Sequence, residues 1–171
     1  ILYDVTKDFT FNGTAAAART DAGTTNMNLT AEQFVNTNTN FANVTFNVTD
    51  GYQTINPIDV TVTITEHSDT VTYNAAEHTV TGYDTAIGNE LYKVTDFIFS
   101  GNDSVSGTNA GTYDMNLTAA DFTNINANFA NVTFVIIDGT LTINPKKITI
   151  TADDKTMIYG DDEPVLTATN S

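Results

Sequence analysis

Two histidines, two acidic clusters and a few tyrosines are the side chains in this 171-residue sequence that could bind or react. His67 and His78 each follow a glutamate and stand eleven positions apart, a spacing that could converge on a metal but matches no usual ligand motif. Both read as surface side chains. Asp153-Asp154 and Asp161-Asp162-Glu163 gather carboxylates that could hold Ca²⁺, yet no twelve-residue EF-hand pattern surrounds them. The plain reading is a solvated turn. Tyr52, Tyr83 and Tyr92 are the candidate exposed contacts for a ligand. By contrast Phe9, Phe11, Phe34, Phe46, Phe97, Phe99, Phe122 and Phe134 read as core. No G-x-S-x-G, Walker-type or G-x-G-x-x-G motif occurs, and nothing predicts the cleft that paired glycosidase carboxylates need. The expectation is a protein that is not an enzyme and carries no cofactor.

The composition narrows the partners. Six Lys and Arg face 21 Asp and Glu, a formal charge of −15. Such a chain repels a phosphate backbone and an anionic bilayer surface, so neither nucleic acid nor membrane is expected. There is no cysteine, which rules out disulfides and thiolate sites. No apolar run reaches the roughly 18 residues of a spanning helix. The sequence opens with no basic n-region and no cleavage site, so any signal peptide lies outside it. Ten Phe and seven Tyr are enough for a core, and the abundant Thr and Asn favour strands and turns.

The elements that would position these residues are set by a repeat. Ala22–Pro57 and Ala110–Pro145 align without a gap at a shift of 88, and 24 of the 36 aligned residues are identical. Phe9, Phe11 and Gly13 extend the match to Phe97, Phe99 and Gly101. A period this long suits a self-contained module. It predicts a truncated module over 1–57, a complete one over 58–145 and the start of a third over 146–171. Ile-Asn-Pro closes the first two, and junctions this short favour a rod-like array. The incomplete first and third segments read as products of where the fragment was cut, or as two parts that complete each other between chains.

Within a module, Val60, Val62 and Ile64 alternate with Thr61 and Thr63 as a half-buried strand. Weaker strands are expected near 71–73 and 79–81, and a longer one over Tyr92–Phe99. Thr30–Gln33 and Thr118–Asp121 have capping-box spacing, with Leu29/Phe34 and Leu117/Phe122 placed as hydrophobic staples, so each module should hold one short helical turn. Val132, Phe134 and Ile136 lead into Asp138-Gly139, a hairpin signal, with Leu141 and Ile143 returning. Three outward positions turn apolar in the second copy, at Ile98, Val135 and Ile137. That suggests a face covered by a neighbour or by strands the first copy lacks; the plainer reading is that both faces are partly buried and the first copy varies freely. The fold class expected is all-β, as tandem small Ig-like β-sandwich modules, with a β-grasp-like sheet as the alternative.

These residues resemble the MBG/YDG-type repeats of large bacterial surface proteins and adhesins. The resemblance rests on Ala110-Gly111-Thr112-Tyr113, on Phe129-Ala130-Asn131-Val132-Thr133-Phe134, on Asp138–Ile143, and on Tyr159-Gly160 with Pro164. The first copy departs from it, with Thr25 in place of Tyr113 and Gln53 in place of Leu141. What the resemblance implies is an extracellular location at a bacterial cell surface or wall, neighbouring modules as partners, and no catalytic residues. The leading function is a stalk repeat that spaces a distal adhesive or catalytic region from the cell. The alternatives are an adhesive module for host glycan or protein, and an accessory domain of a secreted carbohydrate-active enzyme.

Overall fold

The computed structural model describes residues 2–170 as an all-β chain of small sheets with three short 3₁₀ turns, none closed into a true sandwich or barrel. The first copy contributes β1 (Phe9–Phe11), β2 (Gly23–Asn26), β3 (Phe34–Asn36) and β4 (Tyr52–Ile55). Then follow β5 (Ile58–Glu66), β6 (Asp69–Thr72), β7 (His78–Thr81), β8 (Tyr83–Ile87), β9 (Phe97–Phe99) and β10 (Ser104–Gly107). The second copy continues with β11 (Gly111–Asp114), β12 (Phe122–Asn124), β13 (Phe129–Ile137) and β14 (Thr140–Asn144), and β15 (Ile150–Ala152) and β16 (Ala168–Asn170) come last. Shifting β1, β2, β3 and β4 by 88 places each on β9, β11, β12 and β14, and the 3₁₀ turn Ala31–Gln33 falls on Ala119–Asp121.

The chain divides into two compact units: Ile1–Val62 with Ile87–Phe99 and Thr123–Phe134, and Thr63–Ala86 with Ser100–Phe122 and Val135–Ser171. In the first, β1 pairs antiparallel with β3 (Phe9 opposite Asn36) and β2 with β4 (Gly23 opposite Ile55). Its interior is aromatic. Tyr92 lies edge-on to Phe129 at 4.8 Å, and Phe97 edge-on to Phe134 at 5.4 Å. In the second, β14 is central, antiparallel to β11 and parallel to β6, so that Leu141 and Ile143 are fully covered. There β7 pairs with β10, and β15 with β16. The remaining sheets are β12-β9 and β13-β5-β8.

The alternation expected over 60–64 is present within β5, with Val60, Val62 and Ile64 buried and Thr61 exposed. Both capping turns form: Thr30 N–H donates to Gln33 Oε1 at 2.9 Å and Thr118 N–H to Asp121 Oδ2 at 2.7 Å. An aspartate thus serves where glutamate is usual.

Three expectations need correction. Asp138-Gly139 joins no hairpin, because β13 pairs with β5 while β14 pairs with β11 and β6. Glycine is needed there for close approach: a Cβ at Gly139 would lie 2.2 Å from the His67 carbonyl oxygen. Tyr92–Phe99 is not one strand. A 3₁₀ turn over Val94–Asp96 interrupts it, fixed by Lys93 N–H donating to Asp96 Oδ2 at 2.7 Å, and the strand itself covers Phe97–Phe99. Finally, Ile98, Val135 and Ile137 stand exposed rather than covered.

Candidate functional site at the junction

The most heavily tied contact between the two repeated segments sits beside Pro57-Ile58, and asparagines build it. Asn124 Oδ1 accepts Asn126 N–H at 3.0 Å, and Asn126 Oδ1 accepts Asn128 N–H at 2.9 Å. These Asx turns explain why an Asn-rich stretch follows β12: each side chain replaces a ladder bond that the turning backbone loses. The last asparagine reaches across to the first copy. Asn128 Oδ1 accepts Ala22 N–H at 2.6 Å, its Nδ2 donates to Asp21 Oδ1 at 3.0 Å, and its carbonyl accepts Ile58 N–H at 2.9 Å. An open cavity of about 310 Å³ lies beside it, lined by Thr20, Ile55, Ile58, Leu91 and Phe129 among others.

Arg19 shapes the first copy's side of this junction. Its guanidinium donates to the carbonyls of Asp21, Ala22 and Thr24 at 2.8–2.9 Å and to Thr25 Oγ1 at 3.2 Å. Gly23, at φ 130°, must lack a Cβ, which would come within 2.6 Å of Arg19 Nη2. The second copy solves the same loop differently. Gly107 stands where Arg19 does and leaves room for the Tyr113 ring, whose hydroxyl donates to the Asn109 carbonyl at 3.0 Å.

Two further groups hold backbone in place. Glu66 is 4 % exposed; its Oε1 accepts Leu117 N–H and its Oε2 accepts Gly139 N–H, each at 2.8 Å. Glu66 shares the strand parity of Val60, Val62 and Ile64, a signal that sequence reasoning passed over. Tyr92 donates to the Asp96 carbonyl and to Asn124 Oδ1, and Tyr3 repeats both bonds with Asp8 and Asn36. Burial, with a neighbouring carboxylate second, pushes both phenols above the usual tyrosine range. This match was hidden in the sequence by one inserted residue: Leu2-Tyr3 stands 89, not 88, positions before Leu91-Tyr92.

The residues singled out for chemistry are dispersed. His67 Nδ1 lies 2.8 Å from the Thr81 carbonyl and its Nε2 3.5 Å from Asp84, contacts that raise its pKa, whereas His78 Nε2 meets Asn74 Oδ1 at 2.9 Å. The two rings share no partner. Asp154, Asp161, Asp162 and Glu163 are exposed, and Asp153 accepts a bond from the Thr167 hydroxyl. Among the described residues, no group of three or more His, Cys, Asp or Glu is arranged to hold a metal ion. Tyr52 is exposed, Tyr83 is half-buried edge-on to Phe122, and Tyr92 is only 1 % exposed, a core residue rather than an external contact. Among the described residues, no helix is long and apolar enough to cross a membrane.

What this arrangement does chemically is bind backbone to backbone through amides and carboxylates. Residues 60–145 match the MBG domain family, half of the chain. No curated protein and no solved structure matches the chain.

Proposed function

The chain belongs to the MBG domain family, and on that footing we propose that it is a stalk segment of an exported bacterial surface protein, spacing a distal adhesive or catalytic region from the cell. Its modules run over 1–57, 58–145 and 146–171, and each complete one is a small sandwich-like pair of sheets, with a β-grasp-like arrangement as the alternative. The observation that carries this reading is the junction. Ile58 follows Pro57 with no linker, and Asn128 ties the second copy to Asp21 and Ala22 of the first. A spacer needs joints that resist bending, and a side chain bonded on both sides of the joint supplies that resistance.

Solution scattering tests it. Chains carrying one, two and three additional copies of residues 58–145 should lengthen by a constant increment per copy. A particle that stays compact as copies are added would contradict a spacer role while leaving the family assignment intact.

A further inference from the structure

The family-matched segment begins within β5 and ends just after β14. Tension along the chain therefore enters it through 58–73 and leaves it through 128–144, and these two stretches lie beside each other. They run the same way. Ile58 N–H donates to the Asn128 carbonyl near one end, and Tyr73 N–H donates to the Asn144 carbonyl at 2.8 Å near the other. Between them Glu66 accepts Gly139 N–H. The partners are 70, 71 and 73 positions apart, so the stretches stay abreast, and both break at the same place, at His67-Ser68 and at Asp138-Gly139. Before the break β5 lies beside β13; after it β6 is parallel to β14, with Asp69 opposite Leu141 and Thr72 opposite Asn144.

This pairing decides how the bonds meet a load. A pull carried into β6 at Asp69 and out of β14 at Asn144 drives the strands past each other along their length. The evenly spaced bonds of a parallel ladder then stretch together and must fail together. A pull on two neighbouring strand ends opens the same bonds one after another. Water competes for every stretched bond, and here it is kept out. Val62 and Ile64 on β5, and Leu141 and Ile143 on β14, are no more than 1 % exposed. Two exposed side chains add ties outside the ladder: Asn131 Nδ2 donates to Asp59 Oδ1 at 2.9 Å, and Ser68 Oγ accepts Thr140 N–H at 3.0 Å.

We propose that the parallel pairing of 58–73 with 128–144 is a mechanical clamp, which yields at higher force to tension along the chain than to a pull across the same strands. Forced unfolding is governed by the barrier to leaving the native state, and loading the ladder as a unit raises that barrier. The claim concerns how the fold answers force. It does not rest on the stalk reading, which scattering tests separately.

Single-molecule pulling on the 171-residue chain tests it. The chain has no cysteine, so a pair of introduced cysteines sets the axis. Asn56→Cys with Pro145→Cys loads the clamp in shear. Thr72→Cys with Pro145→Cys pulls adjacent strand ends apart and peels the same ladder. All three positions are exposed. At equal loading rate the shear axis should need at least about twofold more force. Ser68→Ala with Asn131→Ala removes both outer ties and should lower the force on the shear axis. It should leave the peeling axis unchanged, because peeling starts at the far end of the ladder. Equal forces on the two axes, a stronger peeling axis, or a double substitution that weakens both axes alike would each overturn the proposal.

Discussion

Leu29 and Leu117 occupy the same place in the two repeated segments, and each has its amide held by a carboxylate, but not by equivalent ones. Glu66 arrives from a neighbouring strand and is buried; Asp50 reaches back from within the first copy and is half-exposed. The loops before them differ in the same spirit, with Arg19 and Thr25 filling the space that Gly107 and Tyr113 fill in the second copy. Sequence identity over these segments preserves the strands, while long-range partners decide which side chains become core. The second copy has such a partner in β5. The first meets the same backbone demands with local, solvent-facing substitutes.

Substitutions at matched positions should therefore have unequal effects. The largest contrast is at the glycines. Gly139→Ala forces a Cβ against the His67 carbonyl and should cost about 3 kcal/mol or more in chemical denaturation. Gly51→Ala meets only the flexible Met27 side chain and should cost less than about 1 kcal/mol. Equal costs would dissolve the contrast. Next, Glu66→Ala strands two buried N–H groups and should destabilise by about 2–3 kcal/mol, whereas Asp50→Ala exposes its donors to water and should cost about 1 kcal/mol or less.

Asn128→Ala removes two side-chain bonds across the junction, and we expect a loss of about 1–2 kcal/mol together with a more flexible joint in scattering. The loop exchange is a double-mutant cycle. Arg19→Gly alone should destabilise, and adding Thr25→Tyr should recover about 1 kcal/mol of that loss, because the pair recreates Gly107 with Tyr113. The smallest effect is a titration. His67 gains a carbonyl partner, then Asp84, and its folded pKa lies above the ordinary 6.5, so its contribution is complete below that value and fades as pH rises through the folded pKa. His67→Gln should flatten the pH dependence of stability in that window, with NMR titration of the ring placing its upper edge.

The repeat, the parity of 60–64 and the capped turns were legible beforehand, because each is written in local spacing. Parity also held the signal for Glu66, since it shares the face of Val60, Val62 and Ile64, although a glutamate there reads first as solvated. The Asp138-Gly139 pair misled for a physical reason: glycine serves a tight turn and a close backbone approach equally well, and only the strand pairing separates them. Tyr92 was mistaken for an external contact because an inserted residue displaced Tyr3 from its register. Asn128 lay unseen in a polar run whose importance depends on what comes to rest against it.

The central claim is that β5 closes the core of the second copy, whereas the matched positions of residues 9–57 rest on local, solvent-facing contacts. Native-state hydrogen exchange on the chain reads this directly at matched amides such as Leu29 with Leu117 and Phe34 with Phe122. The second-copy amides should exchange only through global unfolding, and the first-copy amides through local opening at least about 2 kcal/mol lower. Matching protection at both members of each pair would contradict it.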